Sequence, residues 1–431
     1  MGNEVARERG FLYDWEVERV PEHMLRPWWD IAFVQVGLWL SGFMLMTGGL
    51  LAGSGWPWYD VLAWLIIGCA FNLILYILVG HVGVKERVPI AYIAEKFFGK
   101  WGAKVFNFLV LAGTLAWGAL GIHMLALSIT DLTGMNIYIT AWVAAVFVWL
   151  SSVAGYKTVS LLSKIIIPWF LVFLLFITIY YGFQVNWAAW GFKAKYGAVF
   201  PTFWDGVTFV VGLNIMAAFL QPNSARYARS TKDFAKASTL SVFYGMIVLT
   251  FLAETLAAYA LKPDEPFADP FLIGMRTMGA VGGILVWLLI WTTADNDFWH
   301  ISLSTVQLYP KIKRWIYDTA LVVASVIIIY SGILYRYTDF ATWLAIIWPA
   351  IPGIIIAHYY LIPKLGVDID VLAKRNIKVN WVGFVAWAIG AAVAYLMKSN
   401  AIPLPELGAL AAALVVYASL MMVYRGKEVK G

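Results

Sequence analysis

Only one cysteine, Cys69, occurs in the 431 residues, which excludes an intrachain disulfide framework and a cysteine-based metal centre. It lies inside an apolar block and reads as a small buried hydrophobe. Charge is just as scarce. Asp, Glu, Lys and Arg make up 13% of the chain, about half of the roughly 25% usual in a globular domain. A water-soluble fold of this size would lack the polar residues to cover itself, so a soluble enzyme is excluded. The five histidines, at positions 23, 81, 123, 300 and 358, form no set at ligand or dyad spacing, which argues against an intramembrane enzyme as well. Residues 1 to 30 carry Glu4, Arg7, Glu8, Arg9, Asp14, Glu16, Glu18 and Arg19 but no short apolar run with a small-residue cleavage site, so this stretch does not read as a signal peptide. Low-complexity tracts and long linkers are missing too.

What the chain does have is apolar length. Hydrophobic residues make up 62% of it and fall in blocks of about twenty, the number a helix needs to cross roughly 30 Å of hydrocarbon. Bounded by charges, Pro and Gly, the blocks predict twelve spans: about 30–53, 59–83, 103–130, 137–155, 158–182, 202–222, 236–261, 279–304, 315–335, 340–362, 379–397 and 404–424. The organisation is then a segment 1–29, one transmembrane domain 30–424 and a tail 425–431. With the N-terminus inside, 25 basic residues fall in cytoplasmic segments and 6 outside. Because basic residues stay on the cytoplasmic side, this asymmetry puts both termini in the cytoplasm of a cell-membrane protein. The formal charge of +6 therefore reports orientation in the bilayer and not a nucleic-acid partner, which would need a basic stripe on one exposed face. The loop from Lys85 to Trp101 mixes Ile90, Tyr92, Phe97 and Phe98 with Glu86, Glu95 and Lys96 and is expected to form an interfacial amphipathic helix.

The informative residues are those a lipid-facing helix avoids. Span 1 holds Ser41-Gly42 and Thr47-Gly48-Gly49, and span 6 holds Gly212, Leu213 and Asn214 with Gln221-Pro222-Asn223 at its inner end. Five spans separate the two, as an inverted repeat with discontinuous first helices requires; close helix packing through small residues explains the glycines equally. Span 8 reads Leu288-Leu289-Ile290-Trp291-Thr292-Thr293-Ala294-Asp295-Asn296-Asp297. Ionisable groups inside a span are costly and face a cavity, partner or ion. Leu289, Thr292, Thr293 and Asn296 share one helical face, and hydroxyls with freed carbonyls suit a hard cation. The alternative is that both threonines bond back to the preceding turn while the two aspartates sit nearer the interface. Trp117 lies mid-span among Gly113, Ala116, Gly118 and Gly121, where a flat heterocycle has an aromatic face to stack on. His123 and Glu254 are ambiguous.

The chain resembles the nucleobase:cation symporter family, and within it the bacterial cytosine permeases. The similarity runs through Thr47-Gly48-Gly49, Trp117, Thr133-Gly134-Met135-Asn136-Ile137, Arg226-Tyr227-Ala228-Arg229, Trp291-Thr292-Thr293-Ala294-Asp295-Asn296, Pro349-Ala350-Ile351-Pro352-Gly353 and Val379-Asn380-Trp381, in order across residues 30 to 424. The resemblance implies an all-α LeuT-like fold, a 5+5 inverted repeat plus two C-terminal helices, with import of a nucleobase or related heterocycle by symport with sodium or protons. It implies a sodium site of carbonyls near Leu38, Ser41 and Leu289 with the Thr292 and Thr293 hydroxyls. It also implies a substrate site in which Trp117 stacks on the ring, lined by Thr114, Leu213, Asn214, Ser41, Gly42, Leu289 and Asn296. Asp295 is the candidate proton carrier. Three departures from the family pattern bear on the cargo: Thr114 where cytosine permeases carry a glutamine three residues before the stacking Trp, Asn214 in place of a second aromatic, and Leu289 in place of an asparagine. They leave cytosine, another pyrimidine or purine, and a hydantoin- or allantoin-like ring all open. The expected partners are a small heterocycle and the lipid bilayer, with no cofactor beyond the coupling ion and a monomer as the working unit. An amino-acid or amine symporter on the same fold is the alternative; its substrate needs a counter-charge, and none stands mid-span in spans 1 or 6.

Overall fold

The computed structural model describes residues 14–39, 42–153, 155–183, 199–248, 270–332 and 336–425. Among these residues it is built of helices alone, and the one extended pairing is the isolated bridge between Arg26 and Ala228. In hydrocarbon every backbone N–H and C=O must be satisfied internally, and a helix does this within a single segment. In chain order the main helices are α1 (Trp28–Trp39), α2 (Gly42–Ala52), α3 (Trp58–Glu86), α4 (Lys100–Thr133), α5 (Ile137–Ser152), α6 (Tyr156–Gly182) and α7 (Phe203–Leu220). They continue with α8 (Thr231–Ser241), α9 (Pro270–Val306), α10 (Arg314–Ile329), α11 (Tyr337–Ile347), α12 (Ala350–Ile356), α13 (Trp381–Ser399) and α14 (Pro405–Met421). Among the described residues, eight helices are long and apolar enough to cross a membrane. Phe108, Trp169, Val172, Leu175 and Ile327 stand exposed on their outer faces, a belt that water would not tolerate and lipid does.

Polar side chains set several helix starts. Asn136 accepts from the Tyr138 amide ahead of α5, and Thr202 with Asp205 forms a reciprocal capping box at α7, so the first N–H groups, which have no intrahelical partner, are satisfied locally. Gly134 ends α4 at φ 69°, the left-handed cap that glycine adopts without strain. Helix α9 runs on beyond the expected span at its N-terminal end and kinks at Met278 and Gly279. The tenth expected span is α11 and α12 separated at Trp348 and Pro349, since proline removes a backbone donor there, followed by a π-turn over Ala357–Leu361.

Two expectations need correction. The segment after α3 is no interfacial amphipathic helix. It is two single turns, Ile90–Ile93 and Glu95–Phe98, whose Ile90, Ile93, Phe97 and Phe98 are buried inside the protein. The Ile90 amide bonds to Asn223 Oδ1, Phe98 stacks on Phe106, and its carbonyl accepts from the Asn380 amide. Span 6 is not interrupted at Gly212: α7 is continuous through it, and the turn comes at Gln221, where Pro222 starts a one-turn helix to Ala225. Gly212 serves close approach instead, because a Cβ there would press onto the carbonyl oxygen of Ala341 in α11. Gly212→Ala is accordingly expected to cost about 1–3 kcal/mol of stability, read as a lowered melting temperature of the purified protein; an unchanged melting curve would contradict this packing. The expected unwinding at Ser41, the stretch 249–261 of the seventh span, and Glu254 lie outside the described residues.

Helix α9 is the centre of the arrangement. It packs along α4, α6, α5, α10 and α1, while α7 packs against α3 and α11, and α13 pairs with α14. Between α1, α2, α4, α7 and α9 the packing leaves a cavity.

Candidate functional site

The space in and around the cavity that no atom fills, open solvent included, is about 650 Å³. Helix α1 gives it Leu38, α2 gives Met44, and α4 gives Thr114 and Trp117; α7 and the turn beyond it give Leu213, Met216, Leu220 and Gln221. From α9 come Thr293, Asp297, His300 and Ile301. The small residues of α4 make this convergence possible. A Cβ at Gly113 would lie 2.9 Å from Met216 of α7, and one at Gly118 would lie 3.0 Å from Phe298 and Ile301 of α9.

The Trp117 indole is held edge-on by Tyr337 and Phe340, at ring-centroid distances of 5.8 and 5.3 Å. Tyr337 is itself fixed by a 2.9 Å hydroxyl–hydroxyl bond to Thr47. Edge-to-face contacts of this kind are favourable and orient rings. The Thr114 hydroxyl is turned back onto its own helix, donating to the Val110 carbonyl at 2.8 Å.

Thr293 joins two helices. Its Oγ1 donates to the Gly37 carbonyl of α1 at 3.2 Å and lies 3.4 Å from the Leu289 carbonyl. Thr292 donates to the same Leu289 carbonyl at 2.7 Å. Carbonyl and hydroxyl oxygens of α1 and α9 thus meet at the cavity wall, a neutral set of hard donors suited to an alkali or alkaline-earth cation rather than a soft one.

Of the residues expected at the site, Leu38, Thr114, Trp117, Leu213 and Thr293 line the cavity. Asn214 does not. It is 1% exposed, its Nδ2 reaches back to the Val210 carbonyl, and its own carbonyl accepts from Tyr76 of α3. Thr292 and Asn296 are fully buried in helix-internal bonds, Asn296 Nδ2 donating to the Thr292 carbonyl. The Leu289 side chain is buried away from the cavity. Asp295 is buried beside Ser151 of α5 without a formed hydrogen bond. Gly42 opens α2, and Ser41 lies outside the described residues.

Gln221, Asp297 and His300 line the cavity without having been expected there. The signal for the last two was present, since they follow Thr293 at i+4 and i+7 on the helical face already singled out. Gln221 is oriented by Gln35, whose Nε2 donates to Gln221 Oε1 at 2.8 Å, and His300 Nδ1 lies 3.1 Å from Asn223 Nδ2.

No protein-family model matches the chain. The cytosine permease of Escherichia coli strain K12 is 26% identical to it over 388 residues, covering 87% of each protein. The chain is similar to the cytosine permeases over most of its length. It is therefore a membrane transporter and not an enzyme. Solved structures share its fold. Mhp1, a nucleobase-cation-symport-1 family transporter in a closed conformation with bromovinylhydantoin bound, matches with a TM-score of 0.83 at 15% identity, over 97% of this chain and 98% of that one. Mhp1 in its inward-facing conformation gives 0.74 at 15% identity, over 93% and 92%. A substrate-bound, outward-open Na⁺-coupled sialic acid symporter gives 0.66 at 10% identity, over 93% and 90%.

Proposed function

We propose that this transporter imports a nucleobase or related heterocycle by symport with sodium, through alternating access of a twelve-span LeuT-like frame whose termini are both cytoplasmic. One observation carries the reading: a fixed indole face, Trp117, and an oxygen set bridging α1 and α9 at Thr293 border the same cavity. A flat ring stacking on Trp117 and a cation held by the Gly37 and Leu289 carbonyls with Thr293 would each reshape the wall that the other needs. A cation there ties α1 to α9 and so shapes the pocket in which the ring binds. Substrate affinity then rises with the cation, and cation affinity rises equally with substrate, since binding linkage is reciprocal. The neutral oxygen set favours sodium over a proton as the coupling ion. A carboxylate-bearing cargo is disfavoured by Asp297 and the mainly apolar lining contributed by Leu38, Met44, Leu213, Met216 and Leu220.

The test is a thermal-shift series on purified protein against nucleobases and hydantoins, with and without sodium. A ligand at a hundred times its Kd stabilises the folded state by about 2.7 kcal/mol, so a ring substrate is expected to raise the melting temperature, and to raise it further in sodium. A panel with no response in either condition would turn the reading toward an amine or amino acid.

A further inference from the structure

Resting on the heterocycle reading, we propose that Asp297 determines specificity in this cavity by selecting rings that present two adjacent N–H donors, a ring N–H beside an exocyclic amino group, over rings that present an imide.

The proposal begins from the cavity's hydrogen-bonding inventory. Asp297 lines the cavity one turn beyond Thr293, is mostly buried, and makes no hydrogen bond or ion pair with another described residue. The basic side chains nearest this end of α9 are committed elsewhere, Arg226 and Arg314 both facing Asp14. His300 is no counter-charge either. The Asn223 amide is oriented by the Ile90 N–H donating to its Oδ1, so its Nδ2 donates to His300 Nδ1 at 3.1 Å. An imidazolium, with hydrogens on both nitrogens, would oppose that donor; the ring is neutral, with its hydrogen on Nε2. Gln221 is similarly fixed with its Oε1 taken by Gln35, leaving its Nε2 as the donor end. The cavity therefore offers one carboxylate acceptor pair from Asp297 and donors from Gln221 and His300.

A carboxylate pairs best with two parallel N–H groups. The amino-lactam edge of isocytosine or guanine presents that pair. In uracil or xanthine the amino group is replaced by a carbonyl, so the same edge sets oxygen lone pairs against a carboxylate oxygen. The ring carbonyl elsewhere on an amino-lactam finds the N–H groups of Gln221 and His300. Neutral cytosine, whose amino group adjoins a bare ring nitrogen, offers only one donor to the carboxylate.

The decisive experiment is equilibrium binding to purified full-length protein in saturating sodium of two matched pairs, isocytosine against uracil and guanine against xanthine. Wild type is expected to bind the amino member of each pair about tenfold more tightly, the discrimination of one well-placed bidentate contact. Asp297→Asn, which replaces one acceptor by a donor, is expected to abolish or invert that order while rings of both kinds still bind. An equal or inverted order in wild type overturns the assignment, and this outcome does not depend on the variant's folding. An order retained in Asp297→Asn overturns it too. Failure of every ring to bind wild type overturns this assignment together with the heterocycle reading, whereas an unselective response leaves that reading standing and removes this one alone.

Discussion

Replacing Asp14 with alanine is expected to lower the stability of the protein by about 3–5 kcal/mol, the cost of leaving a buried charge without its partner. Asp14 lies on the chain before α1, yet it is only 4% exposed and gathers four side chains from three other places in the sequence. Tyr227 donates to its Oδ1 at 2.7 Å and Trp299 Nε1 of α9 to its Oδ2 at 2.6 Å, and Arg226 and Arg314 stand 3.3 and 3.7 Å from the same Oδ2. The two guanidiniums are 0% and 2% exposed, so in Asp14→Ala both remain out of water, Arg226 without the carboxylate it faces and Arg314 with only the more distant Asp318, 3.9 Å away. Backbone joins in as well, Arg226 donating to the carbonyls of Asp14 and Trp15. Gly155, at φ 71°, lets the cluster close, because a Cβ there would lie 2.8 Å from both Asp14 and Arg314. Asp14→Asn keeps the shape and loses the charge, so its cost should be smaller. Combining Asp14→Ala with Arg314→Leu should cost less than the sum of the two single changes, since contacting groups are not additive. Denaturant or thermal unfolding of the purified variants reads all three; an Asp14→Ala protein as stable as wild type would refute the account.

The cluster is linked to the cavity wall, because Arg226 Nε donates to the Asn223 carbonyl and the Asn223 amide bonds His300, which lines the cavity. Asp14→Ala is thus expected to speed maleimide labelling of a cysteine placed at Leu220, in a background where the buried Cys69 has been replaced by alanine.

Helical composition and apolar length were legible in the sequence because they depend on the bilayer, which imposes a length and a composition on each segment. Trp117 and Thr293 were legible because a residue that is expensive in lipid stands out wherever it faces. The partner across a helix face was not legible. Asn214 and Leu213 are adjacent, and 100° of helical rotation buries one with its amide bonded back to its own helix and turns the other to the cavity; no local pattern says which neighbour covers which side. Gly212 suggested a broken helix because a glycine tolerates both unwinding and close contact, and only the position of Ala341, far along the chain, decides between them. The turns at Ile90–Ile93 and Glu95–Phe98 looked amphipathic and interfacial, but Phe98 meets α4 and α13, and the Ile90 amide bonds Asn223 in the segment after α7. Asp14 gave no local signal at all, since the partners that bury it begin more than 200 residues later for Arg226, Tyr227 and Trp299.

Thr293→Val is expected to remove the dependence of substrate affinity on sodium while leaving sodium-free affinity and stability close to wild type. Valine keeps the β-branched shape that the helix already accommodates and deletes only the hydroxyl. That hydroxyl is what reaches from α9 to the Gly37 carbonyl of α1 at 3.2 Å, so its loss takes one oxygen from the shared set and cuts the polar tie between the helices. Coupling free energies between two sites run at about 1–3 kcal/mol, or roughly 5- to 150-fold in affinity, and this whole factor is what the variant should forfeit. Thr292→Val is the informative comparison. The Thr292 hydroxyl is equally buried but donates at 2.7 Å to Leu289 within its own helix, so it contributes an oxygen without linking α1 to α9, and its loss should weaken sodium binding while leaving part of the coupling. Substrate titrations at a series of sodium concentrations separate these outcomes. Should Thr293→Val retain the full sodium dependence, the coupling ion is bound elsewhere and the bond to Gly37 is a packing contact between two helices.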